Sequence, residues 1–142
     1  MKVIPISAES VKFKSSSTFE KLPGITNANL SFAYNIDTWI TIDDGGYPDS
    51  EKISVSAIDL AIEGVWDDSS AVNKDFCSRM FKLGDEGNGE IQFTLPNGWI
   101  FEGNTVIEGN FTGDATTQVQ RFTATCHFKG KPTITMDTTT NP

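Results

Sequence analysis

The stretch that decides the fold is residues 71–98, AVNKDFCSRMFKLGDEGNGEIQFTLPNG. Its first part, residues 71–83, carries apolar side chains at helical spacing and is followed by Gly84, a typical helix stop. Its last part alternates apolar and polar residues up to Asn97-Gly98, a strong signal for a hairpin turn. The stretch therefore predicts a short helix, a glycine-rich link and a β-hairpin. The apolar positions of the helix are Val72, Phe76, Met80 and Leu83, and Asp68, Ser69 or Ser70 can cap it.

Further alternating segments lie on both sides of this stretch. They are residues 30–36, 39–42, 53–64, 99–111 and 121–128. Within segment 53–64 the apolar phase changes at Ile58, as a β-bulge in a long strand would produce. The pattern predicts a mainly β fold, an antiparallel β-sandwich or barrel with one flanking α-helix.

The length of the chain, 142 residues, predicts a single domain with one real core. Ten Phe and three Trp indicate that this core is rich in aromatic side chains. The irregular first segment, about residues 1–22, is expected to be an arm, and the Thr-rich end, about residues 133–142, a second arm. Residues 43–51 combine Gly, Pro and acidic side chains, which predicts a long loop.

The net charge of the chain excludes one class of partner. Nineteen acidic and eleven basic residues give a formal net charge of −8, which repels polyanions and argues against a grip on nucleic acid by counterion release. Residues 1–7 lack the apolar core of a signal peptide, and no run approaches the length of a membrane span. We expect a soluble protein that is made in the cytoplasm, binds no membrane and keeps Cys77 and Cys126 as buried free thiols.

Residue types that could carry chemistry are few. His127 is the only histidine, and a strand-face histidine without catalytic role is the favoured interpretation. Cys77, Cys126 and His127 lack the spacing of a zinc site. The carboxylates of residues 43–51 do not follow the EF-hand order, which favours a solvated loop over a calcium site. The sequence predicts no enzyme, no cofactor and no metal.

In its layout, most of residues 22–133 resembles the major tail tube protein of long-tailed, siphophage-type bacteriophages. The order and spacing of six features carry the resemblance: Leu22-Pro23-Gly24-Ile25, the strand at Trp39 leading into loop 43–51, Leu60-Ala61-Ile62-Glu63-Gly64, the helix at residues 76–83, Leu95-Pro96-Asn97-Gly98, and Phe128-Lys129-Gly130-Lys131-Pro132. The resemblance implies a β-sandwich-like fold with one flanking helix and a structural protein of the virion tail. Such subunits form hexameric rings, stacked into a tube that conducts DNA during ejection.

The partners that the resemblance implies are further copies of the chain, a tape measure protein, terminator and distal tail proteins, and DNA in transient, non-specific passage. It also implies that the long loop and both arms bridge neighbouring rings. The loop residues expected there are Asp43, Asp44, Gly45, Gly46, Tyr47, Pro48 and Asp49.

A conduit for DNA should repel phosphate, and the sequence offers one polar sheet face for this role. Strand alternation alone places six polar residues on one face of the predicted hairpin: Glu90, Gln92, Glu102, Asn104, Glu108 and Asn110. These residues are candidates for the wall of the lumen. An ordinary solvated sheet face is the competing interpretation.

Two alternative functions stay open. One is another tail component of the same fold, such as a distal tail or terminator protein. The other is a carbohydrate-binding or adhesive β-sandwich module, if several aromatic side chains are exposed on one sheet face. The aromatic residues in question are Tyr34, Trp39, Tyr47, Trp66 and Trp99, and packing in the core or between subunits is the favoured explanation for them.

Overall fold

The computed structural model describes residues 11–66, 69–114 and 119–136. Eight strands lie in these ranges: β1 (Val11–Lys14), β2 (Phe19–Lys21), β3 (Ile25–Ile40), β4 (Pro48–Val65), β5 (Asn88–Thr94), β6 (Ile100–Asp114), β7 (Val119–Phe128) and β8 (Thr133–Thr135). The helix α1 spans Ala71–Ser78, and short 3₁₀ turns cover Ile42–Asp44, Arg79–Phe81 and Gly84–Gly87.

The strands form one antiparallel sheet in the order β2-β1-β5-β6-β7-β4-β3. β8 continues the line of β7 by pairing with the first residues of β6. The sheet curves strongly, because the rings of Phe32 on β3 and Phe101 on β6 lie 5.8 Å apart although β7 and β4 separate their strands. The predicted mainly β fold with one flanking helix is confirmed.

The core lies on one face of this sheet, where alternate side chains of β1, β4, β5, β6 and β7 are buried. α1 covers this face, and the ring of Phe76 packs 5.4 Å from that of Phe13 and 6.0 Å from that of Phe122. The fully buried side chains include four phenylalanines, so the predicted aromatic core is confirmed. It is formed largely by Phe13, Phe76, Phe93 and Phe122 with Leu22, Leu60, Ile62 and Ile91.

The structure confirms the predicted helix cap and hairpin turn of residues 71–98 but not the predicted helix end. Ser70 caps α1 by accepting a hydrogen bond from the amide of Asn73 at 3.2 Å, whereas Asp68 lies outside the described residues. The hairpin turn at Gly98 forms as predicted, with a φ of 99°. The prediction that the helix continues to Leu83 is wrong, because the backbone tightens into a 3₁₀ turn at Arg79 and Leu83 is 90% exposed.

The segment expected to be an N-terminal arm is partly structural. β1 pairs with both β2 and β5, and it contributes the fully buried Phe13 to the core. The predicted arm of residues 1–22 is therefore corrected for residues 11–22, because lysines and serines separate three core-forming positions, Val11, Phe13 and Leu22. Residues 1–10 lie outside the described part of the chain.

The loop and the C-terminal arm are also shorter than predicted. β4 begins at Pro48, which suits the first position of a strand, so residues 48–51 are paired and the irregular turn is residues 41–47. At the other end, β8 pairs with β6, and the remaining residues 137–142 lie outside the described ranges. Within the described ranges, no helix is both long and apolar enough to cross a membrane.

Candidate assembly surfaces and the open sheet face

β3 and β4 extend beyond the rest of the sheet as a two-stranded ribbon. β4 pairs with β7 only from Asp59 onward, but its pairing with β3 continues outward to Ile40 and Pro48. We call residues 32–58 the ribbon. Its register shifts twice, because β4 carries Ser56 as an extra residue opposite Ala33 and Tyr34, and Ile53 as another opposite Asn35 and Ile36. The first shift confirms the β-bulge predicted near Ile58, and the second was not predicted.

Polar and cation–π contacts hold the two strands of the ribbon together. The amide of Asn35 donates to the hydroxyl of Ser54 at 2.8 Å, and the hydroxyls of Thr38 and Ser50 lie 3.1 Å apart. Lys52 places its ammonium 4.0 Å from the centre of the Tyr34 ring. An isolated two-stranded ribbon is only marginally stable in water. Packing of its exposed apolar side chains against another surface would therefore stabilise it further.

The far end of the ribbon exposes large apolar side chains. We call residues 40–49 the tip. Ile42 is 97% exposed, Tyr47 75% and Ile40 63%, and the acidic side chains of Asp43 and Asp49 lie beside them. Contiguous exposed apolar surface with a polar rim is typical of an interaction site.

An apolar groove lies where the ribbon leaves the sheet. Its volume is about 400 Å³, and Phe32, Tyr34 and Val55 line it from the ribbon. Phe128 and Ile134 line it from the other side, so the groove separates the ribbon from the β7–β8 connection. We call it the basal groove. Lys131 also lines it, and Lys52 borders it through its contact with Tyr34.

A second cavity, of about 340 Å³, is polar. It is lined by Lys14, Arg79 and Lys129 together with acidic Glu90 and Asp85. Lys14 forms an ion pair with Glu90 at 3.4 Å, and Arg79 forms one with Asp75 at the same distance. These pairings neutralise most of the local positive charge.

The face of the sheet opposite the core is polar. The six residues proposed from alternation as a lumen wall all lie on this open face: Glu90, Gln92, Glu102, Asn104, Glu108 and Asn110. Their neighbours in sequence, such as Ile91 and Ile107, are buried on the other face. The amide of Gln92 donates to Glu102 at 2.9 Å across β5 and β6.

His127 lies on the same open face between two carboxylates. Its Nδ1 is 2.7 Å from Oδ1 of Asp59 on β4, and its Nε2 forms a hydrogen bond with Glu108 on β6. Burial alone would lower the pKa of His127, but the two hydrogen bonds and the two negative charges raise it above its ordinary value of 6.5. Only the imidazolium ion donates from both ring nitrogens, so protonated His127 ties three neighbouring strands together.

The other candidate chemical groups do not converge. Cys77 and Cys126 are buried and free, as predicted, and burial raises the pKa of each thiol to about 12. In residues 11–66, 69–114 and 119–136, no group of three or more His, Cys, Asp or Glu side chains could hold a metal ion. The tryptophans lie on separate elements: Trp39 on the ribbon, Trp66 against Phe111 at a ring distance of 5.7 Å, and Trp99 beside the β5–β6 turn.

The chain resembles known proteins in its structure. No protein-family model matches the chain, and no curated protein matches it. A chain in the tail of an empty gene transfer agent (GTA) particle, refined helically with C6 symmetry, matches with a TM-score of 0.73 and 18% sequence identity, over 91% of this chain and 96% of that one. The chain shares the fold of this tail protein.

A second solved structure agrees with this result. A chain from the virion of a native GTA particle matches with a TM-score of 0.72 and 16% identity, over 93% of this chain and 100% of that one. The fold of this chain is therefore matched over nearly the whole length of each solved chain. The fold that the sequence resemblance implied is thus confirmed.

Sequence reasoning missed three features of these surfaces. The partners of His127 come from strands far apart in the chain, so no local motif announces them. The basal groove joins residues near position 32 to residues near position 132, and only the Gly130-Lys131-Pro132 break between two strands hinted at irregular structure there. The exposure of Ile42 was also hidden, because an apolar residue after a strand suggests burial.

Proposed function

We propose that this protein is a structural subunit of a phage-like tail and polymerises into the tail tube. The observation that carries the proposal is the near full-length likeness to a chain in a tail with C6 symmetry. Rings of six subunits, stacked into a tube, are the corresponding assembly. The protein would then be synthesised in the host cytoplasm and reside in the virion.

The ribbon gives this proposal independent physical support. It carries exposed Ile42 and Tyr47 on a projecting element, and such side chains are best explained by burial against another chain. Contacts between rings through the predicted loop residues, Asp43 to Asp49, belong to the proposal. Contacts of residues 1–10 and 137–142 with neighbouring subunits also belong to it.

The open face suits the wall of the tube. Five carboxylates lie there, on Asp59, Glu63, Glu90, Glu102 and Glu108, and four basic side chains share the face, on Lys12, Lys14, Lys21 and Arg121. The small excess of negative charge repels the phosphates of passing DNA. DNA would then slide through without being held. Tape measure, terminator and distal tail proteins are the further partners in this proposal, and no catalytic role is part of it.

The alternatives are less well supported. A sugar-binding module needs aromatic side chains gathered on one surface, whereas the three tryptophans lie on separate elements. A distal tail or terminator protein of the same fold would cap a tube and would not extend it. Polymerisation of the pure protein therefore separates the proposed role from both alternatives.

The test compares the wild-type protein with a ribbon-shortened variant. In the variant, Asn-Gly replaces residues 38–50 and joins Asp37 to Glu51, which face each other across the ribbon. At high concentration, the wild type is expected to form rings or tubes in electron micrographs and to sediment as polymer. The variant is expected to remain a monomer with unchanged circular dichroism, because none of the core side chains lies in the replaced segment.

Leu83→Ser provides the matched control, since Leu83 is highly exposed but distant in sequence from the ribbon. This variant is expected to polymerise like the wild type. A wild type that stays monomeric at every concentration would contradict the proposed function. If the ribbon-shortened variant forms normal tubes, the deleted part of the ribbon makes no contact that assembly requires.

A further inference from the structure

The basal groove is an unfilled apolar surface with positive charge at its border. Phe32, Val55 and Ile134 are exposed at 38%, 52% and 40%, although each faces other apolar side chains of the groove. Lys131 lines the groove and Lys52 stands over the Tyr34 ring. A ligand for this surface should present apolar side chains together with carboxylates.

The tip has this chemistry. Ile42 and Tyr47 are its most exposed apolar side chains, and Asp43 and Asp49 supply carboxylates next to them. The chain reverses at the tip through a 3₁₀ turn at Ile42–Asp44 and the left-handed Gly45. Tip and basal groove are complementary in both polarity and charge.

The tip does not reach the groove of its own subunit. From Tyr34 to Ile40 the paired strand advances about 20 Å at 3.4 Å per residue, and the pairing with β4 is maintained along this distance. A tip that occupies the groove must therefore belong to another subunit. A second copy carries the complementary tip.

We propose that the tip of one subunit inserts into the basal groove of a second copy of the chain. Ile42 and Tyr47 enter the apolar groove, and the carboxylates of the tip face Lys131 and Lys52. The proposal rests on the proposed function, because it names the receptor surface for the ribbon within the assembly.

This contact joins two different surfaces, so it is heterologous. A heterologous contact leaves a free tip and a free groove at the ends of every chain of subunits, and it therefore closes into a ring or continues as a filament. Each subunit uses both surfaces once. The projecting length of the ribbon then sets the distance between the subunits that it connects.

Cysteine cross-linking between two different variants tests the contact directly. Ile42→Cys places a thiol on the tip and Ile134→Cys places one in the groove. The native Cys77 and Cys126 are buried with pKa values of about 12, so they are not expected to react. An equimolar mixture of the two variants, oxidised under assembly conditions, is expected to give a disulfide-linked dimer on a non-reducing gel.

Each variant alone is expected to give at least about tenfold less dimer, since the contact pairs unlike surfaces. A mixture of Leu83→Cys with Ile134→Cys is the matched control and is expected to give equally little. Dimer from Ile42→Cys alone would indicate a tip-to-tip contact and overturn the proposal. Dimer from a mixture of Ile4→Cys with Ile134→Cys, and none with Ile42→Cys, would assign the groove to the N-terminal segment instead.

A charge exchange gives a second, independent readout. Lys131→Glu is expected to raise the protein concentration needed for polymerisation about tenfold, because the groove then repels the acidic tip. Adding Asp43→Lys to Lys131→Glu in the same chain is expected to bring this concentration most of the way back to the wild-type value. Lys82→Glu, which makes the same change of charge away from the groove, is expected to have little effect.

The outcomes separate this inference from the proposed function. Wild-type tubes without a cross-link between tip and groove would leave the proposed function standing and eliminate the inference. Equal effects of Lys131→Glu and Lys82→Glu would also count against the inference, because net charge alone would then explain them. A wild type that never polymerises would eliminate both.

Discussion

At the scale of single residues, the fold places His127 where its side chain links two neighbouring strands through hydrogen bonds. Its two ring nitrogens face Asp59 and Glu108, which belong to the two strands beside β7. The residue lies on a strand face, as the sequence pattern predicted. Its ring bridges the strands on either side of β7.

The raised pKa of His127 makes a pH dependence of stability testable. A folded-state pKa above the unfolded value stabilises the protein fully below about pH 6.5, and this contribution disappears as the pH rises through the folded-state pKa. The free energy of unfolding of the wild type is therefore expected to exceed that of His127→Gln, with the largest difference near pH 6. The difference should vanish at alkaline pH. Because all three side chains are partly exposed, the difference should be about 1 kcal/mol or less.

Urea denaturation of both proteins at a series of pH values measures this difference. Comparison with His127→Gln cancels the titration of carboxylates elsewhere in the chain. Asp59→Asn provides a second check, since it removes one of the two acceptors and should reduce the difference. A gap between wild type and His127→Gln that grows with pH would contradict the assignment.

At the scale of elements, the helix side of the molecule depends on a close approach to β6. A Cβ atom on Gly109 would lie 2.8 Å from the Ala124 Cα and 2.8 Å from the Met80 sulfur, and it would also strike the carbonyl oxygen of Thr123. Backbone atoms of a paired strand cannot move aside freely. The absence of a side chain at position 109 therefore permits both the β6–β7 pairing and the packing of the turn after α1.

Gly109→Ala is expected to lower the free energy of unfolding by about 1–3 kcal/mol, through the overpacking of this contact. Gly113→Ala is the matched control on the same strand, because no atom lies within 4 Å of its added Cβ. Its effect is expected to stay within about 0.5 kcal/mol. Chemical denaturation followed by circular dichroism measures both, and equal effects of the two changes would refute the packing argument.

The ribbon is the element that sequence patterns described least well. Alternation correctly identified its two strands, and the Gly45-Gly46 pair correctly marked a turn. The boundaries differed, because Pro and acidic residues at positions 48–51 suggested a loop although their backbone pairs with β3. Cross-strand pairing between residues 37–40 and 48–51 overrode the low strand propensity of these residues.

At the scale of the whole molecule, the distribution of charge bears on the proposed role as a conduit. Changing Glu90, Glu102 and Glu108 to Lys raises the formal net charge from −8 to −2, because each exchange adds two positive charges. Tubes of this variant are expected to retain short DNA at 50 mM salt and to release it by about 200 mM, whereas wild-type tubes should retain none. DNA held inside the tube should also resist nuclease.

A second triple variant, Glu20, Asp75 and Glu86 to Lys, reaches the same net charge through residues on β2, on α1 and in the turn before β5, away from the open face. DNA bound by its tubes should remain sensitive to nuclease. Cosedimentation with labelled DNA before and after nuclease treatment distinguishes the two cases. Equal nuclease protection in both variants would place the open face away from the lumen.

The sequence by itself determined the presence of β3 to β7, the helix start, the hairpin at Asn97-Gly98 and the polar character of one face of β5 and β6. These features follow from residues close together in the chain, because side-chain alternation, capping and turn geometry are local properties. The order and spacing of such features also sufficed for the resemblance to tail tube proteins. That resemblance then proved correct for the fold.

Only the tertiary structure decided which residues meet. It joined Phe13 of a lysine-rich segment to the core, set His127 between Asp59 and Glu108, and left Ile42 in solvent at the end of a projecting ribbon. Each result depends on pairing between strands that are distant in the chain, and the free energy of such pairing is shared among many residues. No local pattern contains that information, so the surfaces proposed for assembly became visible only once the sheet was formed.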